Sequence, residues 1–539
     1  MNRRNFLRTL PIGVAATAVP FMTGRSRASA LINSPMLNAL ANSESETDKV
    51  LVVVYLEGGN DGINTIVPFE DPLYHTYRKN LGFTKPEEID MLSWKVRGDL
   101  GINPQLNPLK PLWDEGKIAM VQNVGITNPD LSHFKGLELW NSASDSDLVI
   151  PTGWLGRYLE SAYPEYPNTL PEDPIAMTMG KLGTPLFRGA HGMTDIQVPD
   201  PLNFSAVGDT LLSAIPNTVG GSELKFVREL IRVSNTYSRR FAELFPKYAV
   251  SKVTYPESEL AHDLQHVAWC IASGMKTRIY FVHHMGYDTH FNQFSKSPDY
   301  QDSHGRKLRE LGQALYPFQR DLEALGIADK VVTMTYSEFG RRVQENGDWA
   351  SGTDHGSVAP HFVIGTNVNG DLYGHHPDLA KLDKNGDPFV EYEFRQYYAA
   401  VLGDWFGVDE DLRTSILSPG RAHAPWDITF DVNGSTEKKH IINTLQKGIQ
   451  PMRPSIEASL YPNPAINETV LTLRPEKEAE TLVDIFDNSG KHYGSVAKKR
   501  FSLEAHQVRI DTRTLPTGSY YLRIISGGAA QTLKLSVVR

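Results

Sequence analysis

Two segments of this chain hold acids and histidines at a spacing that suits a metal ion. They are Gly-Tyr-Asp-Thr-His at Gly286–His290, and Ser-Glu-Phe-Gly-Arg at Ser337–Arg341 leading to Gly-Thr-Asp-His-Gly at Gly352–Gly356. Carboxylates and imidazoles bind divalent ions. A bound ion polarises an ester oxygen and lowers the pKa of a hydroxyl or water, which is the chemistry of metal-assisted hydrolysis. Asp288 and His290 lie two apart, so in extended backbone both side chains leave on one side and suit a shared ion. His283 and His284 stand just before them, one on each face, as substitutes. Arg341 and Arg342 follow Glu338. A guanidinium matches two oxygens of a phosphate or sulfate; the other reading of the pair is the start of a surface helix.

The elements that must position these groups are short apolar runs. Arg278–Val282 (RIYFV) and Val331–Thr335 (VVTMT) read as buried strands, and open α/β sheets bind ligands at the carboxyl ends of their strands. A third run, Val50–Leu56 (VLVVVYL), enters Glu57-Gly58-Gly59-Asn60-Asp61-Gly62, where Asp61 is either a ligand or a turn-forming residue. A fourth, Ile118–Val124, precedes Ser132, and His133–Asn141 reads as the opening of a helix that Ser132 would cap.

Composition narrows the class. With 539 residues, 40% hydrophobic and 22% charged, the chain can bury a large core and should hold more than one domain. A net charge of −9 with no basic, aromatic-studded run speaks against nucleic acid as a partner. The single cysteine, Cys270, has no partner for an internal disulfide and lies in an apolar helical pattern over Leu260–Ala272. Glu223–Tyr248 reads as a packing helix, and Asp383–Asp387 (DKNGD) lacks the remaining ligands of a calcium loop.

The ends indicate where the chain works. Twin arginines in Asn2–Arg8, a modest apolar stretch around Leu10–Met22 and Ala28-Ser29-Ala30 read as a twin-arginine export signal over residues 1–30, cleaved after Ala30. Pro11 and Pro20 break the apolar run well short of the roughly 20 residues a membrane span needs, so the mature protein is expected to have no transmembrane segment. Residues 431–458 read as a linker. Five short strands follow in residues 459–539 (Thr469–Leu473, Leu482–Phe486, Gln507–Asp511, Tyr520–Ile525 and Thr532–Val538), the pattern of a small all-β, immunoglobulin-like sandwich. Tyr461-Pro462-Asn463-Pro464, Asp484–Lys491, Leu515–Tyr521 and Lys534–Arg539 make this tail resemble the C-terminal sorting domain of type IX secretion cargo in Bacteroidetes. The resemblance implies the type IX machinery and the twin-arginine translocase as partners, a periplasmic step, and delivery to the surface or beyond.

Residues 45–430 resemble the bacterial family called domain of unknown function 1501, grouped with the alkaline phosphatase and sulfatase superfamily. The residues that carry this are the Leu56–Asn64 turn with Pro68 and Asp71, Leu131–Phe134, Gly153–Gly156, the Gly286–His290 motif and the Ser337–Gly356 pair. The resemblance implies a doubly wound α/β/α sandwich of alkaline phosphatase-like type, one or two divalent ions (Zn, Mn, Mg or Ca) and a hydroxyl or thiol nucleophile. It puts Asp61 with Glu338 on one ion, and His355 with Asp288 and His290 on the other, with Asp354 orienting His355. A rival alignment lays Asp354-His355 itself on the superfamily's Asp-His-Gly. Phe339 stands where the first alignment would have a histidine ligand. Ser132 takes the nucleophile's slot, where helix-terminal amides hold an anionic ester, and the capping role remains its alternative. His133 is then an acid, a ligand or a donor to the phosphate, and Arg341 steadies the developing charge.

Two functions stay open. One is an exported metal-dependent hydrolase of phosphate or sulfate esters. The other is a non-catalytic surface protein that uses the same fold to bind glycans or envelope partners.

Overall fold

The computed structural model describes residues 48–83, 89–90, 92–167, 169–180, 182–204, 219–248, 250–293, 303–347, 351–419, 423, 425–443, 456–475, 478–487, 492–526 and 529–539. The export signal expected over residues 1–30 lies outside the described residues.

The strands of the central sheet are β1 (Val50–Glu57), β2 (Ile118–Gly125), β3 (Ala176–Met179), β4 (Ile196–Val198), β5 (Ile279–Met285), β6 (Val331–Tyr336), β7 (Val358–Ile364), β8 (Asp371–Tyr373) and β9 (Tyr392–Glu393). Their order is β8-β2-β7-β6-β1-β5-β3-β4, with β9 also pairing β2. Every pair is parallel except those made by β7, which runs antiparallel to both β2 and β6. The sheet is therefore mixed.

The helices that cover it include α1 (His133–Ser142), α2 (Trp154–Ala162), α3 (Glu259–Ala272), α4 (Ser303–Ala324) and α5 (Phe394–Ala400). Side chains alternate across a strand, and β1 shows what that does when both faces are dry. Val50, Val52, Val54 and Leu56 join a core with Leu264 and Val267 of α3 and Leu311 and Leu315 of α4. Leu51, Val53 and Tyr55 join a second core with Leu155 and Leu159 of α2 and Tyr397 and Tyr398 of α5. An uninterrupted apolar run is what a strand buried on both faces requires, and the result is a doubly wound α/β/α arrangement. Cys270 is buried and free in the first of these cores.

The tail holds seven strands: β10 (Ile456–Tyr461), β11 (Glu468–Pro475), β12 (Ala479–Asp487), β13 (His492–Phe501), β14 (His506–Asp511), β15 (Gly518–Ser526) and β16 (Ala529–Val537). They form two antiparallel sheets, β10-β11-β14 and β13-β12-β15-β16. Leu471, Leu473 and Ile510 of one sheet share a core with Val483, Leu522, Ile524 and Leu535 of the other. β10 and β13 were not among the five expected strands. Both are edge strands, and β13 is written in polar and charged residues (HYGSVAKKRF), a common way to blunt an edge and one that hides the strand's alternation.

The expected linker needs correcting at its start. Thr429–Asp431 pairs with Lys438–His440, Val432 bridges to Tyr373, and Ile441 and Ile442 are buried in the second core. The chain thus packs on the large domain through residue 442. Among the described residues no helix is long and apolar enough to cross a membrane.

Candidate metal centre

Because β1, β5 and β6 are parallel and in register, with Leu56 opposite His284 and Tyr55 opposite Tyr336, their ends deliver Gly58, Asp288 and Glu338 to one edge. β7 runs the other way, so it is the segment before it that reaches this edge, bringing His355. Two short antiparallel pieces, Gly340–Arg341 and His355–Gly356, fix that segment, with Arg341 opposite His355. The amide of Thr353 donates to the Thr289 carbonyl at 3.1 Å, which ties the two motif loops together. β2 ends at the same edge, and the loop after it leads to His133 at the start of α1.

At this edge Asp288, His290 and His355 meet. Asp288 Oδ1 lies 3.3 Å from His290 Nε2 and 3.4 Å from His355 Nε2, and the two Nε2 atoms lie 3.0 Å apart. Bonds of about 2.0–2.1 Å from a tetrahedral ion put its ligand atoms about 3.3 Å from one another. The triangle fits that spacing. His133 Nε2 stands 3.4 Å from the other oxygen, Asp288 Oδ2, and His133, Asp288 and His355 offer ligand atoms within 4.8 Å of one another.

The orientation of the three rings follows from their other nitrogens. His133 Nδ1 donates to Glu338 Oε1 at 2.8 Å, His290 Nδ1 to Asp354 Oδ1 at 2.9 Å, and His355 Nδ1 to the Leu131 carbonyl at 2.6 Å. The network assigns the proton to Nδ1 in each case, since a carboxylate or carbonyl only accepts. Each Nε2 is thereby left as a lone pair aimed at the cluster. Oxygen partners of this kind are what fix metal-binding histidines.

The electrostatics agree with the contacts. Hydrogen bonding to Glu338 raises the pKa of His133 despite partial burial, with Asp288 adding to the effect. Burial lowers the pKa of His355, and the positive Arg341 nearby lowers it further. Burial alone would raise Asp288, but the hydrogen bond and charge of Arg341 hold it below the ordinary carboxylate range. The Asp288 side chain is 49% exposed while that of Glu338 is 1% exposed, so the cluster opens to solvent on its Asp288 side and rests on a dry floor.

Several residues take places other than those expected. Asp61 is fully buried in an ion pair with Arg78, Nη1 to Oδ2 at 2.6 Å, and also caps the short helix Gly62–Thr65. It does not join Asp288, and Glu338 bonds to His133 instead of to Asp61. Asp354 orients His290, not His355.

Arg341 is buried, and its guanidinium donates to the carbonyls of Gly58, Gly59, Tyr287 and Thr353 and to Asp288 at 2.7 Å. Those contacts commit it to holding Asp288 and leave it no reach to a substrate anion. His283 pairs with Glu57, and His284 with Glu310 and Tyr287, so neither substitutes in the cluster. Arg342 contributes its side chain to Asp354 at 3.7 Å.

Ser132 holds the N-cap position of α1, but its hydroxyl makes no capping hydrogen bond. On one side of it Leu131 gives its carbonyl to His355, and on the other His133 joins the cluster. Leu131 has φ of 58°, a left-handed conformation that costs a bulky residue about 1 kcal/mol or more. The loop is held in that shape where it meets the site. Gly58 is required nearby for a similar reason: its φ is 121°, and a Cβ there would lie 2.2 Å from the Asp288 amide.

Three partners carry no signal in the sequence. Arg78 sits in an undistinguished Tyr-Arg-Lys run, Leu131 acts through its backbone, and Gln293 bonds Asp61, Thr289 and Thr353 through an ordinary amide.

Comparison with known proteins adds the following. Residues 269–402 match the family described as protein of unknown function (DUF1501), and residues 459–538 match the secretion system C-terminal sorting domain. No curated protein matches the chain.

Among solved structures, a protein in the alkaline phosphatase superfamily from Vibrio parahaemolyticus is 9% identical, covering 99% of this chain and 88% of its own, with a TM-score of 0.32. The PsFucS1 sulfatase from Pseudoalteromonas sp. is 9% identical, covering 90% and 88%, with a TM-score of 0.31. Dimeric latent PorU from Porphyromonas gingivalis is 22% identical over 15% of this chain, which spans 9% of the PorU chain, with a TM-score of 0.14. At these scores the likenesses carry no weight; strand order and register define the fold. The chain thus joins a segment matching the DUF1501 family, which supplies Asp288, His290, Glu338 and His355, to a secretion sorting domain.

Proposed function

We propose that this chain is an exported, metal-dependent hydrolase of phosphate or sulfate esters, passed across the inner membrane by the twin-arginine translocase and to the surface or beyond by the type IX machinery. The observation that carries the reading is the set of three imidazoles, each tied at Nδ1 to an oxygen and each turned at Nε2 toward Asp288. His290, His355 and Asp288 would hold a divalent ion, with His133 beside them. When bound, such an ion supplies Lewis-acid polarisation of the ester and lowers the pKa of a nearby hydroxyl.

The chain's own groups do the rest. Arg341 and Gly58 hold Asp288 in place, and Glu338 and Asp354 fix two of the rings. Ser132, with its hydroxyl uncommitted to the cap, is the proposed nucleophile, and the first amides of α1 would take the ester's anionic group.

The second reading, a surface protein that binds glycans or envelope partners without turning them over, draws on two observations. Phe339 packs its ring 4.9 Å from His133 and 4.3 Å from His355, and Arg341 is spent on the backbone. Metal content and turnover of aryl phosphate and aryl sulfate esters by the purified mature protein decide between them. Hydrolysis lost in His355→Ala supports the enzyme, and a metal-loaded protein that cleaves neither ester leaves the binding role.

A further inference from the structure

The acids and imidazoles at this edge divide into those with open ligand atoms and those whose atoms are spent. Asp61 belongs to the second group. Its Oδ1 accepts from the Asn64 amide at 3.4 Å and Arg78 Nη2 at 3.1 Å, and its Oδ2 accepts from Arg78 Nη1 at 2.6 Å and from Gln293 Nε2. A carboxylate has about four lone-pair sites, and all are taken. Arg78 is equally fixed, donating to the carbonyls of Val343 and Arg342, and both side chains are fully buried.

A guanidinium does not lose its proton in a protein, so the charge of Asp61 is balanced from within the chain. A dication placed there would face a buried positive charge at contact range. Glu338 is spent too: Oε1 accepts from the Gly58 amide at 2.9 Å and His133 Nδ1 at 2.8 Å, the same amide lies 3.2 Å from Oε2, and the carboxylate also accepts from the Tyr55 hydroxyl. The groups around Asp288 left with an open atom toward solvent are Asp288 itself, His290, His355 and His133, with Asp354 Oδ2 exposed behind His290.

We propose that the chain takes one divalent ion per molecule, of the zinc class that imidazoles favour over calcium or magnesium, and that Arg78 is the built-in cation of the neighbouring carboxylate, where no second ion binds. This deepens the hydrolase reading above and rests on its metal centre. It gives the unexpected placement of Asp61 a role: the Asp61–Arg78 pair is the permanently filled counterpart of a site that exchanges its ion.

The test is the stoichiometry of zinc on the full mature chain, stripped with chelator, dialysed against zinc chloride and measured by plasma mass spectrometry and by titration calorimetry. One zinc per chain is expected, undisturbed by a hundredfold excess of calcium. Asp61→Asn should keep one zinc, and His355→Ala should keep none. Two ions on the unaltered chain, loss of an ion in Asp61→Asn, or displacement of zinc by calcium would overturn the inference while leaving the hydrolase reading in place. No ion on the unaltered chain would remove the metal centre itself. The measurement on the unaltered chain stands even where a variant fails to fold.

Discussion

His290 and His355 stand 65 residues apart in the chain and 3.0 Å apart at their Nε2 atoms, both rings already committed at Nδ1. Two lone pairs at that distance repel unless a proton or a cation lies between them. Asp288 Oδ1 at 3.3 and 3.4 Å completes the demand for positive charge. The divalent ion proposed for this site would meet that demand.

Asp354 should matter through His290 alone. Removing its carboxylate in Asp354→Ala frees the ring to turn, and zinc affinity should fall by about 10–100-fold, the usual cost of losing such a partner. Competition with a fluorescent chelator measures it. An unchanged affinity would mean that the 2.9 Å contact orients nothing.

Ser132→Ala should separate chemistry from binding. Ester turnover should fall by on the order of 10^4-fold or more if the hydroxyl is the nucleophile, with zinc content unchanged, since no ligand is removed. Melting temperature should also stay close to the parent, because the hydroxyl makes no capping bond. Full turnover in the variant would assign the attack to water.

How much of this was legible beforehand depends on range. β1, β5 and β6 announced themselves as unbroken apolar runs, and the two-residue spacing of Asp288 and His290 placed both on one side. His355 was placed by the family resemblance alone, because a histidine just before an apolar strand reaches this edge only when that strand runs antiparallel, as β7 does. Arg78 was not, because its meaning comes from Asp61, 17 residues away, and from the Val343 carbonyl, 265 away. The pairing of Glu338 with His133 spans 205 residues and obeys no local period.

Arg78→Met should be among the most damaging single changes. It leaves Asp61 charged and dry, which costs about 3–5 kcal/mol, and Asp61→Asn in the same chain should recover part of the loss. Urea denaturation of the two single variants and the double variant gives the coupling directly.

Acid should act through the same pair. Burial opposes ionisation of Asp61, but the charge and hydrogen bonds of Arg78 hold its folded pKa below the ordinary value of 3.8. A depressed carboxylate contributes its full stability above its unfolded pKa and loses it as pH falls through the lower folded value. The acid limb of the stability profile should therefore be steepest between the ordinary value of 3.8 and the lower folded value, levelling off below it, and Asp61→Asn should flatten that stretch. An acid limb identical in the two proteins would remove the pair from the explanation.

A chain ending near residue 455 should keep the zinc centre, since every ligand and orienting partner lies before residue 360 and the tail sandwich has a core of its own. Fractionation of cells should find it held in the periplasm. Surface delivery of the shortened chain would assign sorting to some other segment.

The reversed sense of β7 governs when the site can come into being. This strand is inserted between β6 and β2, so before it docks the sheet exists as two separate pieces, one carrying Asp288 and His290 and the other leading to His133. β7 emerges from the ribosome after both, and the histidine that precedes it is the last ligand to arrive. The proposed ion would thus be captured as the sheet closes, not before. A full ligand set for the proposed ion therefore exists only once β7 has joined the two pieces.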